Sequence, residues 1–185
     1  SLVVDKLTSC ELVIFNRWSP EIPQENLHKI VRGISRQADI IYEDKLGNVQ
    51  YDKIEDPLPF DINAPVIMIN NEDYALWYRD VTEEPEKYEG KSVQFKAQVA
   101  MLRNAKEAMF APGRFVMTCC IEDIQFCGVP CKYENASALE PRSWVMVTAK
   151  ISAEKHPLYK GELGPVLTAI RVEPTQKADN EVTAF

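Results

Sequence analysis

The chain has 185 residues, 45% of them hydrophobic and 26% charged, and a formal net charge of −7. That length suits one ordinary domain or two small ones and can hold a core without staples, while the balance excludes a disordered or collagen-like chain. Apolar runs such as residues 12–15 and 66–69 fall far short of the roughly 20 residues a membrane-spanning helix needs, and the acidic balance lacks the basic footprint of a nucleic-acid binder.

The chain opens on Ser1 rather than Met, without a charged-then-apolar signal segment, and reads as an excised piece or as a chain whose leader was removed. Residues 11–16 form a short run of strand formers, ended by Pro20 and Pro23. Leu27, Ile30, Val31 and Ile34 recur at helical spacing and predict an amphipathic helix over residues 24–36, with Glu25 and Lys29 paired on its outer face. His28, beside that apolar stripe, reads as a partly exposed surface histidine rather than a ligand. Residues 39–43 and 48–52 predict two strands joined by a turn around Gly47. Strand, helix and hairpin make a small α+β module. Pro57, Pro59 and Pro65 then break any sheet or helix, so residues 1–64 are read as this module plus a connector.

Residues 66–69 read as a buried strand, followed by a helix from Glu72 capped by Asn70 or Asn71 and ending before Pro85. Tyr74, Trp77, Tyr78 and Val81 share one face of it and read as core, not as a stacking platform. Over residues 92–101, Val93, Phe95, Ala97, Val99 and Met101 alternate with Gln94, Lys96 and Gln98, which predicts a strand with one buried face. Residues 102–113 read as a loop in which Pro112 and Gly113 mark a turn. Strands are predicted at 114–120 and 123–129, about two helical turns at 134–140, and further strands at 143–152 and 166–173. Three strands, a short helix and two strands is the succession of an OB-fold. The fold class expected is therefore mainly β with some α: an OB-fold-like five-stranded barrel over residues 65–175, preceded by the small α+β segment. Residues 176–185 read as a loose, polar tail.

Five cysteines occur, and four of them, Cys119, Cys120, Cys127 and Cys131, fall within thirteen residues, while Cys10 stands apart. The odd count argues against a fully paired disulfide framework, and the spacing lacks the two Cys-x2-Cys knuckles of a zinc ribbon. Neighbours in a strand point to opposite faces, so a site using both Cys119 and Cys120 needs the strand to end or bulge there. Three readings stay open. Cys119, Cys120, Asp123, Cys127 and Cys131 can supply a thiolate-rich metal site, for which zinc or copper is expected rather than magnesium or calcium. The same thiols can pair across strands as structural or redox-active disulfides. They can also be small buried apolar residues. No phosphate-binding loop, dinucleotide fingerprint, nucleophile elbow or zinc-protease motif occurs. His156 reads as an exposed loop residue, and the carboxylates from Glu83 to Glu89 as a solvated acidic loop.

The stretch Arg114-Phe115-x-Met117-x-Cys119-Cys120-x-x-Asp123, with Gly128, Trp144-Val145-Met146-Val147, Tyr88-Glu89-Gly90-Lys91 and Gly164-Pro165-Val166-Leu167, resembles the YcgQ-like family of proposed permease subunits. The resemblance covers about residues 65–175; Cys127 and Cys131 are additions to the general motif. It implies the soluble, non-enzymatic OB-like domain of a membrane-anchored accessory subunit in transport, with spanning helices ahead of Ser1. It also implies a polytopic membrane permease subunit as partner, no nucleic-acid partner, and a bacterial cell membrane with the soluble domain on its extracytoplasmic side. The alternatives are a thiol/disulfide redox domain and an oligonucleotide-binding OB module. Acidic charge argues against the latter, as do strands without aromatics interleaved with Lys and Arg; Phe95 and Phe115 read as core.

Overall fold

The computed structural model describes residues 10–32, 34–35, 38–54, 56–102, 108–117 and 121–184. They divide into two compact units, one up to Pro57 and one from Leu58 onward.

In the first unit, β1 (Leu12–Asn16), α1 (Gln24–Arg32), β2 (Asp39–Glu43) and β3 (Val49–Tyr51) follow one another. The sheet order is β1-β2-β3, with β1 parallel to β2 and β2 antiparallel to β3. A parallel pair needs a crossover, and α1 supplies it. Val13, Val31, Ala38, Ile40 and Tyr42 form the core, with Phe15, Trp18 and Leu27 packed against them. The β2–β3 turn is built on Asp44, whose side chain accepts from the backbone of Leu46 and Asn48 at 2.8 and 2.9 Å. Gly47 sits there at φ 83°, where a side chain would be strained. Two expectations fail in α1. Ile30 is 57% exposed, outside the core stripe, and His28 is buried, with 4% of its surface accessible. The ring turns inward because Asp52 and Asp56, after β3, meet its two nitrogens. No helix-period argument could see partners so distant in sequence.

The second unit contains β4 (Ile67–Met68), α2 (Tyr74–Glu83), β5 (Ser92–Met101), β6 (Met109–Met117), β7 (Gln125–Gly128), β8 (Cys131–Lys132), β9 (Trp144–Lys155), β10 (Leu163–Pro174) and β11 (Val182–Ala184). Its pairings close a ring. β5 runs antiparallel to β6, β6 to β7 and β8, β8 runs parallel to β10, β10 antiparallel to β9, and β9 antiparallel to β5. With β7 and β8 counted as one interrupted strand, this is the order of a five-stranded OB barrel. The fold is mainly β with some α. Val93, Phe95, Ala97 and Val99 of β5 and Val145, Val147, Ala149 and Ile151 of β9 are all buried, the face that alternation requires. From α2, Trp77 and Tyr74 lie against Phe95 with ring centroids 4.8 and 5.6 Å away.

Four local expectations are corrected here. The helix begins at Tyr74, with Asp73 at the cap position. Neither Asn caps it, because Asn70 donates to the Asp73 carboxylate at 3.3 Å and the Asn71 side-chain oxygen accepts from Arg114 at 3.1 Å. Pro112 and Gly113 lie inside β6, paired with Val99 and Gln98, rather than in a turn. A Cβ on Gly113 would stand 2.4 Å from the Cys127 carbonyl oxygen and 2.6 Å from the Gly128 Cα. The glycine therefore marks a close approach of two backbones. Residues 134–140 hold one short turn, Ala136–Ala138. Finally, within the segment read as a loose tail, Val182–Ala184 pair in parallel with β6 from Phe115 to Met117. Thr183 and Ala178 are buried, so alternation brings a polar-looking segment into the sheet.

Candidate functional site

Beyond its pairing with β5, β6 is flanked by β7 on one side and by β11 on the other. A cavity of about 520 Å³ opens beside this region, lined by residues 98–101 of β5, Phe115, Phe126, Pro141, Arg142 and Glu181. That volume is in the range of ordinary ligand and partner pockets. Phe115 and Phe126 are direct register partners on β6 and β7, and their rings meet edge to face at 5.4 Å. Phe115 is 38% exposed and Met101 is 40% exposed, so the cavity presents aromatic and thioether surface to solvent. Arg142 contributes the cation at the rim. Its backbone holds a left-handed φ of 67° while its N–H donates to the Val99 carbonyl at 2.8 Å. Glu181, paired with Lys177, contributes the anion.

Phe115 reads as core from the sequence and is not. The reason is its neighbour. Arg114 is buried, 1% exposed, and successive strand residues face opposite ways, so burying the arginine turns the phenylalanine out. The Arg114 guanidinium donates from Nη1 to the Asn71 side-chain oxygen at 3.1 Å and from Nη2 to the Asn180 carbonyl. It also lies 5.1 Å from the centre of the Trp144 ring. Its Nε has no hydrogen-bond partner among the described residues. Loss of solvent pulls its pKa down, against the opposing effect of Tyr74. One side chain thus ties the turn before α2, β6, the start of β9 and the C-terminal segment together. The sequence signal that could have found this site is the dipeptide itself, in which only one of Arg114 and Phe115 can face the interior.

The cysteine segment lies next to it. Cys127 is the register partner of Arg114 and is half-buried, and its carbonyl accepts from the Tyr74 hydroxyl at 2.8 Å. Burial pushes its thiol pKa up. Cys131, in β8 opposite Phe110 and Leu167, is fully buried. Burial pushes its thiol to about 12, against a backbone hydrogen bond from Ala169 that lowers it. A thiol in that position stays protonated at neutral pH, whereas metal ligation uses the thiolate. Among the described residues, neither Cys127 nor Cys131 is in a disulfide. Asp123 closes the short turn Ile121–Asp123 ahead of β7, and Cys119 and Cys120 lie outside the described residues. Among the described residues, no three His, Cys, Asp or Glu side chains form a group that could hold a metal ion, and no helix is long and apolar enough to cross a membrane.

Residues 46–182 match the sequence profile of the DUF1980 C-terminal domain. No curated protein matches the chain. Among solved structures, the chain is similar to an OBody, AM3L15, bound to hen egg-white lysozyme: 15% identity over 56% of this chain and 90% of that one, TM-score 0.36. A replication protein A heterotrimer bound to single-stranded DNA shares 12% identity over 48% of this chain and 59% of that one, TM-score 0.28. RecJ from Thermus thermophilus in complex with Mn2+ shares 10% identity over 97% of this chain and 34% of that one, TM-score 0.35. Likenesses of this size carry no functional weight, and the barrel assignment stands on its strand order.

Proposed function

The chain belongs to the YcgQ-like family through its DUF1980 C-terminal domain, and on that footing we propose that it is the non-enzymatic docking domain of a membrane-anchored accessory subunit whose partner is a polytopic permease subunit. The domain stands on the extracytoplasmic side of a bacterial cell membrane, tethered through spanning helices ahead of it. The observation that supports this reading is the cavity at Phe115 and Phe126. Aromatic residues, Met and Arg are the side chains that protein interfaces favour, and the energy of association concentrates on a few such anchors. The lining is apolar and aromatic with one cation and one anion at its rim, a chemistry of recognition.

A protein occupant is favoured over a nucleic acid because Glu181 at the rim and a net charge of −7 both repel phosphate. The reading rests on the cavity lining and calls on no zinc or copper. The test uses the full-length anchored protein co-expressed with the permease subunit and solubilised in detergent. Phe115→Ser with Phe126→Ser is expected to lower the recovered permease by tenfold or more, with circular dichroism unchanged. Met101→Lys, at an exposed rim position, is the milder variant and should lower it in the same direction. Recovery equal to wild type in both overturns the reading.

A further inference from the structure

The amino-terminal unit buries a second titratable group that the docking cavity does not use. His28 Nδ1 meets Asp52 Oδ2, and Nε2 meets Asp56 Oδ1 at 2.7 Å. Ionised carboxylates only accept hydrogen bonds, so both ring nitrogens carry hydrogen in this seat and the ring is an imidazolium. Burial works against that charge, but the hydrogen bonds and negative charges of Asp52 and Asp56 outweigh it and raise the pKa from 6.5.

The groups around the ring complete a balanced set. From α1, Arg32 Nε donates to Asp56 Oδ2, and Nη1 donates to the carbonyls of Ala38 and Ser35 at 2.8 and 3.3 Å. From β2, the Tyr42 hydroxyl stands 3.5 Å from Asp52 Oδ1 and 3.3 Å from the Gln24 carbonyl. Two cations therefore face two carboxylates, and loss of the His28 proton leaves one carboxylate uncompensated. Asp52 keeps a backbone bond to the Ile40 carbonyl at 2.9 Å. Asp56 follows in a stretch outside any strand, and the side-chain contacts to His28 and Arg32 are what hold it against α1.

We propose that His28 is a proton-operated clasp that fastens the chain leaving β3 against helix α1 when charged and releases it when neutral. The direction follows from linkage. A group whose pKa is higher in the closed form stabilises that form fully below its free value of 6.5, and the contribution disappears as pH rises through the closed-form pKa. Between those limits one proton is coupled to opening, so the opening equilibrium shifts by up to about tenfold per pH unit.

Two measurements on the intact chain test this. The His28 ring signal, identified by its loss in His28→Gln, is expected to titrate above 6.5. Trypsin cleavage after Lys53, an exposed residue between the two aspartates, reads the clasp directly. It should be about tenfold slower in wild type than in His28→Gln at pH 6.5 and equal in the two by pH 9. Asp56→Asn, which leaves the ring one carboxylate, should lower the titration midpoint even if His28→Gln folds poorly. Titration of His28 at or below 6.5, or a cleavage ratio that ignores pH, overturns the proposal.

Discussion

The two units each bury a cation, and they neutralise it differently. Around His28 and Arg32 the answer is a pair of carboxylates, Asp52 and Asp56. Around Arg114 the partners among the described residues are neutral: an amide oxygen, a backbone carbonyl and the Trp144 ring. A charge removed from water costs several kcal/mol unless it is compensated. The first arrangement recovers that cost by ion pairing and inherits a dependence on pH. The second recovers it partly through dipoles and a cation–π contact, keeps its proton at every ordinary pH, and uses the guanidinium as a rigid tie between four parts of the barrel. One cation suits a switch, the other a fixture.

Substitutions sharpen this contrast. The largest effect is expected from Asp52→Asn, which leaves a buried imidazolium beside a single carboxylate. Breaking a buried pair in this way costs about 3 kcal/mol in the urea unfolding of the amino-terminal unit. The loss should be greatest at acid pH, where His28 is charged in both states, and should shrink as pH rises. Arg114→Met comes next. It relieves the desolvated charge but leaves the oxygens of Asn71 and Asn180 without a donor, a loss of about 2 kcal/mol. That loss should stay constant from pH 6 to pH 9, and a strong pH dependence would break the comparison. Phe115→Ser should lower barrel stability by only about 1 kcal/mol, since the ring is partly in solvent and gives up mainly its edge-to-face contact with Phe126. The smallest change belongs to Asp56→Asn. Its carboxylate is 42% exposed, so the stability lost is about 0.5 kcal/mol by urea titration, although the His28 midpoint should move measurably.

Much of the barrel is legible in the chain because period-two alternation over β5 and β9 is a local signal and each strand buries the face that the pattern marks, except at Met101, which ends β5 40% exposed. What stays hidden depends on contacts distant in sequence. Gly113 looks like half of a Pro-Gly turn until the carbonyl of Cys127 is brought against it. His28 looks like a surface residue because its partners lie 24 and 28 positions away. Thr183 looks like tail because three residues are too few to show alternation.

The candidate site is less legible than the fold. Phe115 carries every mark of a core residue except the identity of its neighbour, and Arg114 is the residue that goes inside. For the cysteines, spacing suggests chemistry but says nothing of burial. At Cys131 full burial supports the packing reading among the three left open. Cys119 and Cys120 lie outside the described residues.

The proposed docking role is tested most directly by placing a photo-crosslinking residue at position 115 of the full-length protein, and separately at exposed Thr168 on β10, in cells that carry the proposed permease partner. The cavity at Phe115 and Phe126 predicts a crosslink to the permease from position 115 and none from position 168. Crosslinks of equal yield from both positions, or none from position 115, would contradict it.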